Sequence, residues 1–139
     1  MRVLLDSCVL SELYKQSPTE SVKNALESID DSHLYISVIT IGELSKGIAL
    51  LPDSKRKSDL QNWFNQIEKS YTTRILSIDT ETASIWGEIT ANAQKEGLSL
   101  RTADGLIAAT AIRHGLHLMT RNIKDFDFTK VLLVNPWET

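Results

Sequence analysis

The chain has 139 residues, of which 42% are hydrophobic and 24% charged, with a formal net charge of −3. This composition excludes a disordered chain and fits one globular domain over residues 1–139, and no segment approaches the ~18 apolar residues of a membrane span. The acidic balance does not favour nucleic-acid binding, which usually goes with a basic excess. Because Asp6 interrupts the first apolar run, a signal peptide is not indicated, and we expect a cytoplasmic protein.

Short apolar runs alternate with helical patterns along the chain. Such alternation is typical of an α/β fold with a central, mainly parallel sheet of about five strands and helices on both faces. The predicted strands cover residues 2–5, 33–37, 74–78, 116–119 and 130–134. The predicted helices cover residues 7–15, 19–29, 40–50, 54–71, 79–96 and 102–114.

The most informative stretch is residues 101–122, which reads RTADGLIAATAIRHGLHLMTRN. Its crowded apolar residues predict a largely buried helix, which Thr102 can cap and Gly115 can end, followed directly by a buried strand. Asp104 is an acid in the first turn of this helix. Taken alone, it is well explained by the positive end of the helix dipole.

Asp104 is one of four acids that follow predicted strands. Asp6 ends the first strand, Glu43 opens a helix after the run 35–39, and Asp125 follows the strand 116–119. Open parallel sheets bind ligands beyond the carboxyl ends of their strands. Carboxylates that meet there would repel one another unless a hard divalent cation such as Mg²⁺ or Mn²⁺ joined them. This pattern favours metal-assisted hydrolysis of a phosphodiester.

Other polar residues have simpler interpretations. Asp79 also follows a strand, but we interpret it as a helix N-cap. Asp127 lies close to Asp125 and is the less favoured choice for the fourth acid. The histidines are scattered and suggest no Ser-His-Asp set, and no glycine-rich phosphate loop follows the first strand.

Four segments together resemble the PIN domain, and specifically the VapC toxins of bacterial VapBC toxin–antitoxin pairs. They are LLDSCVLSEL at the N-terminus, IGEL around Glu43, TADGLIAATAIRHGL around Asp104, and TRNIKDF, which includes Asp125. The resemblance spans essentially the whole chain. It implies a Mg²⁺-dependent or Mn²⁺-dependent endoribonuclease that a VapB-type antitoxin neutralises, and it implies a homodimer. RNA is then the expected substrate.

The resemblance also implies a role for individual positions. Asp6 and Asp104 match the principal metal ligands, and Glu43 and Asp125 match the acids that complete the catalytic site. The supporting positions are Ser7, Thr120 and Asn122, of which the last two are expected to form hydrogen bonds.

Three positions beside those acids need separate expectations. The hydroxyl of Ser7 would either orient a metal-bound water or, as we favour, cap the first helix. Cys8 stands where many family members have asparagine, which leaves one polar contact in doubt. Arg121 is the basic residue that we expect to meet an RNA phosphate, although an ion pair with a neighbouring acid is an equal alternative.

Two rival functions remain open at this point. The first is a catalytically inactive PIN-fold protein that serves in binding or scaffolding. The second is a phosphatase or phospho-acceptor domain that uses Asp6. Such a domain calls for a second acid two residues later or a catalytic lysine late in the chain, and Cys8 supplies neither.

Overall fold

The structure, a computed structural model, describes residues 1–138 and contains one sheet of five strands. All neighbouring strands pair in parallel, in the spatial order β3-β2-β1-β4-β5. The predicted parallel α/β architecture is therefore confirmed, with the first strand at the centre. The strands are β1 (Val3–Leu5), β2 (Leu34–Ser37), β3 (Ile75–Leu76), β4 (His117–Met119) and β5 (Leu133–Val134).

Six α-helices connect and cover these strands within residues 1–138. In the same part of the chain, no helix has both the length and the hydropathy needed to cross a bilayer. Three single-turn 3₁₀ helices lie at Asp31–His33, Ile123–Asp125 and Asp127–Thr129. The α-helices are α1 (Ser7–Tyr14), α2 (Glu20–Glu27), α3 (Val38–Ala49), α4 (Lys55–Ser70), α5 (Thr80–Lys95) and α6 (Thr102–His114).

The core is divided by the sheet, because successive side chains of a strand point to opposite faces. Val3 and Leu5 pack with buried residues of α1 to α4, such as Phe64. Leu4 packs on the other side with α5 and α6, including the fully buried Ile107. A continuous apolar run is what a strand covered on both faces requires.

The start of α6 differs from the prediction. Thr102 does not cap the helix, because the backbone is already helical there, and Arg101 occupies the N-cap position without a capping side-chain hydrogen bond. The predicted end is confirmed. Gly115 adopts a left-handed conformation with φ of 65°, and the N–H of Leu116 donates to the carbonyl of Ala111 at 2.9 Å.

The start of α3 also differs from the prediction. The helix is predicted from residue 40, but the Ser37 hydroxyl accepts a hydrogen bond from the N–H of Ile39 at 3.0 Å and starts the helix at Val38. Glu43 therefore lies in the second turn of α3 and does not open it. The strands β3 and β5 are shorter than predicted, and a 3₁₀ turn precedes β2.

Glu12 is a buried acid that has a structural role. Its carboxylate accepts hydrogen bonds from the N–H and the hydroxyl of Thr19 at 2.9 and 3.0 Å, and from Lys15 at 2.9 Å. These hydrogen bonds lower the pKa of Glu12 to about 2. The carboxylate thereby fixes the turn between α1 and α2.

Candidate active site

The strand order creates a switch point beside β1. The chain runs from β1 to β2 and β3 on one side of the sheet, and then crosses to β4 on the other side of β1. At such a point the connections leave the sheet in opposite directions and open a crevice beyond the carboxyl ends of the strands. Asp6 and Thr120 are the residues that directly follow β1 and β4.

Asp6 is held in place by its neighbours on both sides. Leu5 pairs with Met119, so Asp6 lies beside Thr120, whose hydroxyl donates to Asp6 Oδ2 at 2.8 Å. The N–H of Ser7 donates to Asp6 Oδ1 at 2.8 Å. The side chain of Asp6 is thus fixed while each carboxylate oxygen keeps further capacity to accept.

The cap of α1 is Asp6 and not Ser7. The backbone of Asp6 is extended, its carboxylate accepts from the first N–H of the helix, and Ser7 is already the first helical residue. The expected capping role of Ser7 is therefore wrong, because the preceding carboxylate takes that place. The Ser7 side chain instead lines a groove beside Glu43.

Two residues that follow β4, Thr120 and Asn122, form a chain of hydrogen bonds that ends at Asp6. Thr120 donates to Asp6 and accepts a hydrogen bond from the backbone N–H of Asn122 at 3.1 Å. Thr120 thus contacts the Asp6 carboxylate directly. Asn122 contributes only its backbone N–H, which donates to Thr120.

The Cys8 thiol occupies the position left in doubt by the sequence. Its sulfur lies 3.8 Å from Asp6 Oδ2 and 3.7 Å from Thr120 Oγ1, and it accepts from the N–H of Arg121 at 3.5 Å. Burial raises the pKa of the Cys8 thiol, and the charge of Asp6 raises it further. Cys8 is therefore a neutral neighbour of the site at pH 7, and the described residues contain no second cysteine.

Asp104 lies in the first turn of α6 and is 8% exposed. Burial raises the pKa of its carboxyl group, and the charges of Asp125 and Asp6 raise it further, against the opposing effect of Arg101. A carboxyl group that served only to complement the helix dipole would not be repelled by two acids from other elements. The helix-dipole interpretation is thus insufficient for Asp104.

Glu43 faces the same region from α3. Its pKa is raised by burial, then by the charges of Asp6 and Asp104, and lowered by Arg101. Its Oε1 is buried and has no hydrogen-bond partner among the described residues. Buried oxygens without a partner are costly and rare, so Glu43 keeps an unused acceptor at the site.

Asp125 lies on the exposed 3₁₀ turn Ile123–Asp125, which follows β4. Its charge is among those that raise the pKa of Asp104, whereas Asp127 is not. This difference agrees with the choice of Asp125 over Asp127 as the fourth acid.

The four acids share one region but do not form a finished ligand shell. Within residues 1–138, no three carboxylate, imidazole or thiol groups already lie close enough together to hold a metal ion. Their mutual effects on pKa nevertheless link Glu43 to Asp6 and Asp104, and Asp104 to Asp125. Like charges repel, so neighbouring carboxylates are expected to turn apart when only side chains surround them.

The sequence interpretation missed that Arg101 pairs with two of the acids. Its guanidinium lies 3.6 Å from Glu43 Oε2 and 3.6 Å from Asp104 Oδ2. The second contact has helical i, i+3 spacing and was predictable on that ground. The first joins residues of two different helices and has no local signal in the sequence.

Arg121 directly follows Thr120 in the chain. Its guanidinium lies over the ring of Trp137, 5.1 Å from the centroid. It lines an open groove of about 590 Å³ that also includes Asn122, Lys124 and Asp125. A second groove, of about 470 Å³, begins at Ser7 and Glu43 and runs between α1, α3 and α4.

Asp79 belongs to a separate cluster. Its carboxylate accepts from the N–H and hydroxyl of Thr82 at 2.8 and 2.7 Å, so the predicted N-cap of α5 is confirmed. Arg113 Nε lies 2.6 Å from Glu81 and 3.8 Å from Asp79. These contacts explain the acids of this cluster without any ligand.

Comparison with known proteins identifies the family. A model of the PIN domain matches residues 3–131. The chain belongs to the PIN-domain family. The resemblance seen in the sequence motifs is thereby confirmed for nearly the whole length of this PIN-domain protein.

The curated relatives include ribonucleases and toxins. The protein is 38% identical over 136 residues to Toxin FitB of Neisseria gonorrhoeae, covering 97% of this chain and 98% of the relative. It is 34% identical over 137 residues to VapC ribonuclease Y4jK of Sinorhizobium fredii, covering 98% of each chain.

Solved structures give the same result. A chain in the crystal structure of FitAcB from Neisseria gonorrhoeae superposes with a TM-score of 0.91 at 38% identity, over 99% of both chains. A chain of VapBC2 from Rickettsia felis, bound to a DNA fragment from its promoter, gives a TM-score of 0.79 at 25% identity, over 97% of this chain and 98% of that chain.

Proposed function

We propose that this PIN-domain protein is an endoribonuclease toxin that uses Mg²⁺ or Mn²⁺ and is neutralised by a cognate antitoxin. The observation that carries this proposal is that Glu43 and Asp104 meet at Arg101, which lies 3.6 Å from each, while Glu43 keeps a buried oxygen without a partner among the described residues. The names of the relatives, a VapC ribonuclease and a toxin, support the same activity.

The residues present suit a hard divalent cation. Carboxylate oxygens are the donors that Mg²⁺ and Mn²⁺ prefer, and a cation among them would offset their mutual repulsion. Glu43 contributes a buried oxygen that has no partner among the described residues. Because no set of ligands is already closed, binding would require small rotations of the acidic side chains.

Each acid has a distinct part in this proposal. Asp6 would anchor or bridge the metal, since Thr120 and Ser7 already fix its orientation. Asp104 and Asp125 would complete one ion's shell, and Glu43 would hold a second ion or orient the attacking water. A bound divalent cation supplies an activated water and a counter-charge for the phosphate. Hydrolysis by water in line with the phosphate would leave a 5′-phosphate and a 3′-hydroxyl.

RNA would reach the acids along the groove that contains Arg121 and Lys124. Both side chains are cations beside Asp125, so they can bind phosphates next to the scissile one. Water as the nucleophile makes the ribose 2′-hydroxyl unnecessary for the reaction. A preference for RNA must therefore come from shape, and single-stranded loops are the expected substrates.

An antitoxin would block the acids from the other side. Several similar solved structures are FitAB, VapBC or toxin–antitoxin assemblies. The groove that begins at Ser7 and Glu43 is largely apolar farther along, where Leu44, Ile48 and Trp63 line it. We propose that the antitoxin occupies this groove, because a segment seated there reaches the edge of the site.

The alternative is an inactive PIN-fold protein that only binds a partner. No residue of the proposed acid set is missing from this chain, and the comparisons do not favour this alternative. A homodimer and a cytoplasmic location remain expectations of the family resemblance. Light scattering of the purified protein tests the first of these.

The purified protein provides the direct test of the function. It should cleave single-stranded RNA with Mn²⁺ or Mg²⁺ and stop when EDTA is added, and sequencing of the products should find 5′-phosphate and 3′-hydroxyl ends. Asp104→Asn should lose cleavage and Asp127→Asn should keep it. Equal cleavage by Asp104→Asn and the unmodified protein would refute the proposal.

A further inference from the structure

Arg101 occupies an unusual place, between two acids that belong to different elements of the candidate site. Its guanidinium contacts Glu43 of α3 and Asp104 of α6, both at 3.6 Å. Both distances exceed the usual length of a charge-assisted hydrogen bond, which is about 2.7–2.9 Å. Arg101 therefore neutralises the two acids without being locked to either.

The exposure of Arg101 makes it easy to displace. The side chain is 70% exposed, whereas the Asp104 side chain is 12% exposed. Ion pairs with an exposed partner are weak, of the order of 0–1 kcal/mol, because water screens the charges and the long side chain loses freedom. The acids, in contrast, are held by buried parts of the fold.

We propose that Arg101 is an exchangeable counter-ion of the acidic site, which yields Glu43 and Asp104 to a divalent cation and then binds the RNA phosphate. The proposal rests on the proposed function. In this proposal the divalent cation binds first and displaces Arg101, and RNA binds second and contacts the displaced side chain.

Charge explains both steps. Glu43 and Asp104 would exchange the Arg101 guanidinium for a divalent cation, since the two positive charges would repel each other and compete for the same oxygens. Arg101 is the N-cap residue of α6, so its freed side chain would stay close to a phosphate held by a cation at Asp104. Guanidinium groups pair well with phosphate oxygens, so the displaced side chain has a new partner as soon as RNA arrives.

The first experiment measures Mn²⁺ affinity of the free protein by electron paramagnetic resonance. Arg101→Ala should bind Mn²⁺ roughly 3- to 10-fold more tightly, since a competing charge of modest strength is removed. Arg101→Lys should stay near the unmodified protein because the charge remains. Arg113→Ala is the matched control, since Arg113 also pairs with two acids but lies in the other cluster.

The second experiment measures steady-state cleavage of a fluorescent single-stranded oligoribonucleotide at saturating Mn²⁺. Arg101→Ala should raise KM by roughly 3- to 10-fold with a smaller effect on kcat, because only a phosphate contact is lost. If Arg101 had a purely structural role, its replacement by alanine would not strengthen Mn²⁺ binding and weaken RNA binding at the same time. Thermal unfolding of each variant checks that the fold is intact.

Several results would overturn the inference. Unchanged or weaker Mn²⁺ binding by Arg101→Ala would show that Arg101 does not compete with the metal, and an unchanged KM would remove its role toward RNA. The failure of the proposed function looks different, because then neither the unmodified protein nor Arg101→Ala would bind Mn²⁺. Binding by Arg101→Ala alone would support Arg101 as the competing cation.

Discussion

Two clusters in this molecule combine acids with one arginine, and they behave in opposite ways. In the first, Asp79 and Glu81 pair with Arg113, and hydrogen bonds from Thr82 lower the pKa of Asp79. In the second, burial and like charges raise the pKa of Asp104 although Arg101 lies beside it. The difference is that local hydrogen bonds satisfy the acid of the first cluster, whereas the acid of the second lies buried near other acids.

The partners of each carboxylate explain the contrast. Asp79 accepts two hydrogen bonds from one residue of its own helix, so its charge is satisfied locally. Glu43 instead lies near the charges of Asp6, Arg101 and Asp104, and has an oxygen without a partner among the described residues. A satisfied carboxylate stabilises the fold, whereas an unsatisfied one is available to a ligand.

The largest expected effect is on RNA cleavage, which should depend on Asp104 and not on Asp79. Asp104→Asn should reduce cleavage of RNA on the order of 100-fold or more, because a proposed metal ligand loses its charge. Asp79→Asn should leave cleavage unchanged, since Asp79 caps α5 away from the other acids. The measurement is the initial rate with labelled RNA and Mn²⁺. Similar losses in both variants would remove the distinction between the clusters.

The next effect concerns the packing that positions Asp104. A Cβ at Gly105 would lie 2.9 Å from the Trp86 ring and 3.0 Å from Leu100, so Gly105→Ala should lower the free energy of unfolding by about 1–3 kcal/mol.

Gly87→Ala is the control for that change, because nothing lies within 4 Å of a Cβ there. In the interior of α5 it should add roughly 0.5–1 kcal/mol. Urea denaturation measures both variants. A stable Gly105→Ala protein would mean that α5 and α6 are less tightly apposed at Asp104 than the structure indicates.

A smaller effect is expected on thermal stability at pH 7, where substitutions at Glu43 and at Asp79 should change Tm in opposite directions. Since the pKa of Glu43 is raised, its charge opposes folding above that pKa, and the penalty disappears as pH falls. Glu43→Gln should therefore raise Tm by roughly 1–3 °C after allowance for solvent screening.

At the cluster of Asp79, Glu81 and Arg113, the expected change in Tm has the opposite sign. The lowered pKa of Asp79 contributes stability that is present above the unfolded value of 3.8 and is lost as pH falls below it. Asp79→Asn should therefore lower Tm at pH 7. Calorimetry across pH 3–8 tests both variants, and a decrease in both would contradict the assignment.

The smallest effect concerns the Cys8 thiol, which lies beside Asp6, Thr120 and the backbone of Arg121. Its contacts are long, at 3.5–3.8 Å, and a thiol is a weak donor. Cys8→Asn should therefore change the cleavage rate by no more than roughly threefold. A complete loss of cleavage would show that the thiol itself is needed for the reaction. The same rate assay with Cys8→Ser would then test whether a hydroxyl can replace it.

The sequence was sufficient for much of the fold because the relevant signals are local. Apolar runs located the five strands, and Gly115 marked the end of α6. The start of α3 was misplaced because the apolar run 35–39 continues past the capping Ser37. Periodicity alone cannot separate a short buried strand from the first turn of a buried helix.

The site was predictable only in part for a similar reason. The position of each acid after a strand, together with the motif resemblance, located Asp6 and Asp104 at one edge. The pairing of Arg101 with Glu43 depends on how α3 and α6 approach each other in space. The anchoring of Asp6 by Thr120 depends on the register of β1 with β4, which no local pattern encodes.

The central claim is that distant carboxylates together bind a divalent cation. Anomalous diffraction from a crystal of the protein grown with Mn²⁺ tests it most directly. The account predicts a peak about 2 Å from oxygens of Asp6 and Asp104. A protein that cleaves RNA in Mn²⁺ but whose crystal shows no peak at those oxygens, or a peak only beside Asp79 and Glu81, would contradict it.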